Sequence, residues 1–423
     1  MLDLKFVRQN PDLIRRAIEN KGEKVDLNRF LELDQEYRDL LVRADHLKHE
    51  RNVVSKQIGA LRGKDVEAEQ PLAKMREVSQ QIKDLDARCK VLEEEINHLA
   101  MAIPNIPHPS VPIGQNEEDN VEIRKWGKLA QLDFEALPHW EIGERMGILD
   151  LKASSKISGS GFLLLKGWGA LLERALISFM LDVHIREHGY QEVWPPFLVN
   201  RKSMEGTGQL PKLSEDMYRV DEDDLFLIPT AEVPLTNLHR DEILRGEDLP
   251  RNYVAYTACF RREAGSYGKE TRGITRVHQF DKVELVKFVH PERSYEELEV
   301  LLSHAEKVLQ LLNLPYRVRI LCTGDLSFAA AKCYDIEVWA AGQKKFLEVS
   351  SCSNFEDFQA RRSGIRFRQA PGAKAEYVHT LNGSGLALPR TVIAILENFQ
   401  TQTGQVVIPK ALRPYMGGLE RIE

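Results

Sequence analysis

The sequence predicts an α+β protein: a long antiparallel helical hairpin, then an antiparallel β-sheet flanked by helices. Three observations carry this. Apolar residues among the first hundred recur at spacings of three and four, which is the seam of a coiled coil. Pro104, Pro107, Pro109 and Pro112 then break every helical pattern, as a stiff extended linker does. Residues 116–423 mix helix and strand signals without a strand–helix–strand rhythm, which favours an antiparallel sheet. The expected organisation is an N-terminal domain over 1–103 with its coiled-coil arm at about 30–101, a linker over 104–115 and a second domain over 116–423.

Bulk properties narrow the class. A chain of 423 residues is too long for one ordinary core, so two domains are expected. Hydrophobic residues at 43% and charged residues at 29% suit a soluble globular enzyme and argue against disorder. The net charge of −6 gives no global pull toward nucleic acid, so any RNA site must be a local patch. Cys89, Cys259, Cys322, Cys333 and Cys352 are scattered, without a C-x-x-C. They read as reduced thiols of a cytoplasmic protein, not as a disulfide frame or a structural zinc site. The opening M-L-D-L-K-F-V-R carries charges where a signal peptide needs an apolar run. The most apolar helix, from Trp168 to His184, is interrupted by Glu173, Arg174 and Asp182. No membrane span is expected.

Residues 1–26 form a short helical lead-in, with Asn10-Pro11 as a helix start. The first seam is Leu33, Tyr37, Leu40, Ala44, Leu47, Arg51, Val54, Ile58 and Leu61. The second is Met75, Val78, Ile82, Leu85, Cys89, Leu92, Ile96 and Leu99. Gly63 and Pro71 interrupt the pattern between them, so the helices fold back antiparallel. Helices of roughly 30 residues make an arm on the order of 45 Å long, most of it wet. Heptads usually serve dimerisation or spacing. Between Arg43 and Lys64, however, six basic residues (Arg43, Lys48, Arg51, Lys56, Arg62 and Lys64) stand against Asp45 and Glu50. A basic face on an acidic protein is a footprint for an RNA backbone, and structured RNA is read largely through shape and backbone. Arg43, Lys48, Arg51 and Lys56 are the candidate contacts.

In the second half, Gly169 to His188 reads as one amphipathic helix stopped by Gly189. The β-prone run Tyr190 to Val199 follows and holds Pro195 and Pro196, which confine it to a sheet edge. An apolar helix feeding an edge strand suits a two-fold interface as well as ordinary packing. Pro229 and Pro234 bracket Thr230 and Glu232, two polar side chains on one face of an extended piece. With Glu284 they make an acceptor-rich pocket, fit for an ammonium and a hydroxyl.

The stretch Phe260 to Glu284 reads as strand, loop, strand, with Gly265, Gly268 and Gly273 at a mobile tip. Arg261, Arg262, Arg272 and Arg276 crowd it. Arginine offers a rigid, permanently charged fork to phosphate or carboxylate. Glu263 follows Arg261 by two, so on a strand both face one side, and Phe280 could stack on a base. Such a hairpin fits a nucleotide, although charged hairpins more often are only solvated.

The pattern "FRxE, loop, RxxxF" resembles motif 2 of the class II aminoacyl-tRNA synthetases. The segments TAEVP, FRREAG, RGITRVHQFDKVE, FLEVSSCSNFEDFQARR and NGSGLALPRTVIAILENFQ resemble, in order and spacing, those of the seryl-tRNA synthetases. With the arm included, the resemblance covers essentially the whole chain. It implies a class II catalytic domain that forms seryl-adenylate from serine and ATP and charges tRNA(Ser), and tRNA(Sec) where one exists. Arg261 would hold the α-phosphate, Glu263 the adenine amino group, Phe280 the adenine face and Arg390 the γ-phosphate. Arg262, Val277, Val349 and Ser350 would join the ATP site. Glu348 and Ser351 would bind Mg²⁺, and Arg261, Glu348 and Arg390 would carry catalysis. Thr230, Ala231 and Glu232 would hold the serine amino group, Glu284 its hydroxyl, and Ser384 would line the pocket. Pro196 falls on the motif 1 proline of a homodimer interface. Pro389 departs from the family's frequent glycine and bears only on the backbone around Arg390. Three other readings are a threonine or proline enzyme, a non-catalytic RNA-binding relative and a relative that loads carrier proteins. TAEVP and the arm speak against the first, the intact Arg261, Glu348 and Arg390 against the second, and the arm against the third.

Overall fold

The computed structural model describes residues 1–60, 65–264 and 272–423. It divides into two compact units: Met1–Glu19 with Glu23–Pro104, and Asn20–Gly22 with Asn105–Glu423.

In the first unit, a short helix Leu4–Gln9 is capped by Asp3, whose carboxylate accepts from the Phe6 amide at 2.9 Å. The next helix, Pro11–Asn20, starts on its proline, where the missing N–H is no loss. Two long helices follow, α1 (Leu27–Ala60) and α2 (Asp65–Ala102). They run antiparallel. Arg29 pairs with Glu95, Glu36 with Arg88 and Glu50 with Lys74, climbing one helix while descending the other. The seam residues Leu33, Ala44, Val54, Val78, Ile82, Cys89, Leu92 and Ile96 are buried, as the 3.5-residue spacing demands. One expectation is corrected. Position 71 lies inside α2, not in the turn. A proline removes one backbone bond, whereas packing along the whole stripe holds a long helix. Leu61, Arg62, Gly63 and Lys64 lie outside the described residues.

The second unit is built on an eight-stranded sheet. Its strands are β1 (Val121–Trp126), β2 (Gln191–Glu192), β3 (Arg251–Phe260), β4 (Gln279–Val289), β5 (Tyr316–Ile320), β6 (Lys332–Ala340), β7 (Lys345–Asn354) and β8 (His379–Ala387). Their order is β1-β5-β6-β7-β8-β4-β3-β2. Every pairing is antiparallel except the edge pair β2–β3. The helices are α3 (Trp168–Arg186), α4 (Glu232–Thr236), α5 (Ser294–Leu311) and α6 (Leu388–Asn398). Leu172, Leu176 and Met180 of α3, Leu298 and Leu301 of α5 and Val392 and Ile395 of α6 share one core with Val283, Leu285 and Ile336 of the sheet.

Three local expectations change. The run Tyr190 to Val199 is not one strand. It splits into the two-residue β2 and a strand Leu198–Asn200 in a separate small sheet, because Pro195 and Pro196 lack the donors a ladder needs. Thr230 and Glu232 are not on an extended piece, since Glu232 opens α4 with Pro234 in its first turn, where proline is tolerated. The second strand of the Phe260–Glu284 stretch begins only at Gln279, which leaves Arg276 in the connecting segment. Gly189, with φ of 71°, follows α3 as a left-handed stop.

Candidate active site

A cleft of about 1150 Å³ opens over the sheet. β4, β6, β7 and β8 supply much of its lining, and α4 contributes Glu232. Among the expected residues, Thr230, Glu232, Arg261, Glu263, Val277, Phe280, Glu348, Val349, Ser351, Ser384 and Arg390 line it.

At one end lie the expected phosphate and base contacts. The Arg261 guanidinium sits 5.2 Å from the Phe280 ring centroid, and its Nε donates to the Pro229 carbonyl at 3.3 Å. Arg261 and Glu263 share the cleft, but not through strand alternation. β3 ends at Phe260, and Glu263 adopts φ of 51°. Arg276 donates to the Glu263 carboxylate at 3.0 Å. Arg262 is exposed and does not line the cleft, and Arg272 lies 4.8 Å over the Trp140 ring. Only Arg261 and Arg276 of the four arginines therefore line it. Gly265 and Gly268 lie outside the described residues. Gly273 is needed for close approach: a Cβ there would collide with the His139 ring, whose Nε2 accepts from the Ile274 amide at 3.1 Å.

β6 and β7 carry the expected metal ligands. Glu348 and Ser351 are three apart, so a regular strand would turn them to opposite faces. The ladder shifts register here: Asp335 pairs with Ser351 and Glu337 with Glu348, one extra residue intervening on β7. This bulge brings Glu348 and Ser351 to one face. Asp335 hydrogen-bonds Ser351, and burial first, then the charge of Glu348, pushes its carboxyl pKa up. Two carboxylates and a hydroxyl on one face fit a hard cation that keeps its own waters. Among the described residues no group of three or more His, Cys, Asp or Glu is placed to hold a metal. Ser350 points the other way and donates to the Ser384 carbonyl at 2.7 Å. Arg390, in the first turn of α6, donates from Nη1 to the Glu348 carbonyl at 2.7 Å and to its carboxylate at 3.3 Å. Pro389 sits in that same turn and leaves the helix start intact.

At the other end two carboxylates are buried together. Gln359 donates to Glu232 Oε1 at 2.6 Å, and Asn382 donates to Glu232 Oε2 at 3.0 Å and to Glu284 Oε1 at 2.9 Å. Burial, then the charge of Glu284, raises the Glu232 pKa to about 7. Lys282 Nζ stands 2.6 Å from Glu284 Oε2 and donates to Thr230 Oγ1 at 2.8 Å. Thr230 Oγ1 also accepts from the Glu232 amide at 3.2 Å, so its accepting capacity is used within the protein. Ala231 is fully buried behind the cleft. Glu284 is fully buried too, and Lys282, Asn382 and Ser384 stand between it and the open space. Sequence reading missed Lys282, Gln359 and Asn382. The alternation Phe280, Lys282, Glu284 on one strand was the available signal for the first.

In the first unit, Arg43 and Lys56 are exposed, Arg51 is half-buried on the seam, and Lys48 pairs with Asp86 at 3.0 Å. Part of the basic run is thus neutralised across the hairpin.

The family model described as tRNA synthetase class II core domain (G, H, P, S and T) matches residues 216–399, and the seryl-tRNA synthetase N-terminal domain matches residues 1–107. A serine–tRNA ligase from Trichlorobacter lovleyi is 58% identical over 422 residues, 100% of both chains. The crystal structure of seryl-tRNA synthetase from Pyrococcus horikoshii complexed with ATP superposes with a TM-score of 0.94 at 42% identity, covering 100% of this chain and 99% of that one. A cytoplasmic serine–tRNA ligase from Naegleria fowleri, in complex with AMP, superposes with a TM-score of 0.89 at 31% identity, covering 100% and 99%. The antiparallel sheet and its cleft thus define a class II aminoacyl-tRNA synthetase core. Within that class, the chain belongs to the seryl-tRNA synthetase family.

Proposed function

We propose that the chain activates L-serine with ATP to seryl-adenylate and transfers the seryl group to tRNA(Ser), and to tRNA(Sec) where one is present. The observation that carries this is the Glu232–Asn382–Glu284 cluster beside a cleft that Glu232 and Asn382 share with Arg261, Phe280 and Arg390. The ATP and AMP complexes of the relatives support the nucleotide end.

Glu232 accepts the substrate ammonium, orienting the serine carboxylate toward the α-phosphorus. A carboxylate oxygen forms the new bond to phosphorus, the bond to the bridging oxygen breaks, and pyrophosphate leaves. No side-chain nucleophile takes part. Arg261 meets the α-phosphate and Arg390 the γ-phosphate, so charge developing in the transition state faces preorganised donors. Glu348 and Ser351, with Asp335 beside them, would hold Mg²⁺, which when bound neutralises phosphate oxygens. Phe280 and Glu263 hold the base. In the second step the terminal adenosine hydroxyl of tRNA attacks the adenylate carbonyl and AMP departs.

We assign residues 1–103 to tRNA binding, with Arg43, Lys48, Arg51 and Lys56 on the arm, and residues 116–423 to catalysis. The protein acts as a homodimer through α3 and the edge at β2, where Trp168 and Trp194 are exposed at 45% and 71%. Buried free thiols at all five cysteines favour the reducing cytoplasm. Among the described residues no helix is long and apolar enough to cross a membrane. Seryl-tRNA formation from ATP, L-serine and tRNA(Ser) tests the reading. Its absence with an active control enzyme on the same tRNA would refute it.

A further inference from the structure

We propose that Lys282 is a further specificity-determining residue, the hydrogen-bond donor to the side-chain hydroxyl of the amino-acid substrate. This rests on the serine reading of the site. Phe280, Lys282 and Glu284 alternate along β4 and so share one face. Glu284 has no exposure, and its oxygens are taken by Asn382 at 2.9 Å and Lys282 at 2.6 Å, with Ser384 Oγ at 3.4 Å. The carboxylate expected to read the hydroxyl therefore lies behind other side chains. Lys282 is in front, lining the cleft although only 6% exposed.

An ammonium has three donors. One meets Glu284 and one meets Thr230 Oγ1. Among the described residues the third has no partner, and it is left for an oxygen arriving in the cleft. A hydroxyl accepts from that N–H and keeps its own proton to donate to an adjacent acceptor. Alanine has no atom in that place and would leave a buried charged donor without a bond, a strong form of discrimination.

Two variants separate this role from a structural one. Lys282→Gln retains two amide hydrogens, enough for Glu284 and Thr230, and lacks the third donor. Lys282→Met lacks all three and leaves Glu284 uncompensated, so it is the variant at greater risk of misfolding. Serine- and alanine-dependent ATP–pyrophosphate exchange are measured for both, with ATP affinity by equilibrium dialysis as the check on fold. In Lys282→Gln, ATP affinity should persist and kcat/KM for serine should fall about 10- to 100-fold, while that for alanine changes little. An unchanged serine-to-alanine ratio in Lys282→Gln would overturn the proposal. So would loss of ATP binding in both variants, which would assign Lys282 to the fold. Absence of serine exchange in the wild type would instead strike the serine reading itself.

Discussion

Arg390 holds Glu348 twice, through the main-chain carbonyl at 2.7 Å and the carboxylate at 3.3 Å. The cation proposed for phosphate and the carboxylate proposed for Mg²⁺ are thus paired with each other. The pair is half-exposed, so it costs little to break. Substituting Arg390 by Ala, or Arg261 by Ala, should slow adenylate formation by about 3 kcal/mol in activation free energy. Circular dichroism should show the fold retained. A wild-type single-turnover rate in either variant would remove that residue from the phosphates.

Serine binding should tighten as pH rises from 6 to 8. The Glu232 pKa is raised from its ordinary 4.5 to about 7, so the carboxylate proposed to accept the substrate ammonium is the minor form at pH 6. Roughly one tenth is then ionised, and KM for serine should be about tenfold above its plateau. The sign for stability is opposite. The stability that the neutral carboxyl contributes is full below 4.5 and is lost as pH rises through about 7. Glu232→Gln should flatten the KM profile while weakening binding at high pH. A KM independent of pH in the wild type would contradict the assignment.

The sheet edge at β2 should be covered by a second copy of the chain. Sedimentation equilibrium should give twice the chain mass of 48.4 kDa. Replacing the exposed Trp194 by a charged residue should shift the equilibrium toward monomer. An active monomer at micromolar concentration would contradict a dimer built there.

Periodicity made the arm and α3 legible, because a repeat of apolar residues reports burial directly. Arg261 and Phe280 stood out in the arginine-crowded stretch and Glu348 through the family resemblance, and all three line the cleft. What sequence reading missed depends on backbone irregularity or on distant partners. The spacing of Glu348 and Ser351 makes sense only with the β7 bulge, which no propensity signals. Arg262 looked equivalent to Arg261 but faces outward. Gln359 and Asn382 meet Glu232 from 127 and 150 residues away. The covering of Glu284 by Lys282 follows from side-chain length at a buried site, which alternation alone does not convey.

Removing the arm should separate the two half-reactions. A cut from Tyr37 to Ala87 spares Asp34, which holds Arg8 at 2.7 Å, and the pair Glu36–Arg88 at its base. Serine activation should persist, since the cleft is lined by residues from Glu117 onward, and tRNA charging should fall below detection. In the intact protein, neutralising Arg43, Lys48, Arg51 and Lys56 together should weaken tRNA binding and lower its salt dependence by roughly one unit of slope per lost phosphate contact. Lys48 should contribute least, being paired with Asp86. Normal charging by the shortened protein would reassign the arm to spacing or assembly.

The most direct test of the central claim is amino-acid-dependent ATP–pyrophosphate exchange with the purified chain, run in parallel with serine, threonine and alanine. The cluster of Glu232, Glu284, Asn382 and Lys282 predicts rapid exchange with L-serine, slow exchange with threonine and almost none with alanine. Exchange with alanine at a rate comparable to serine, or none with serine, would contradict the account.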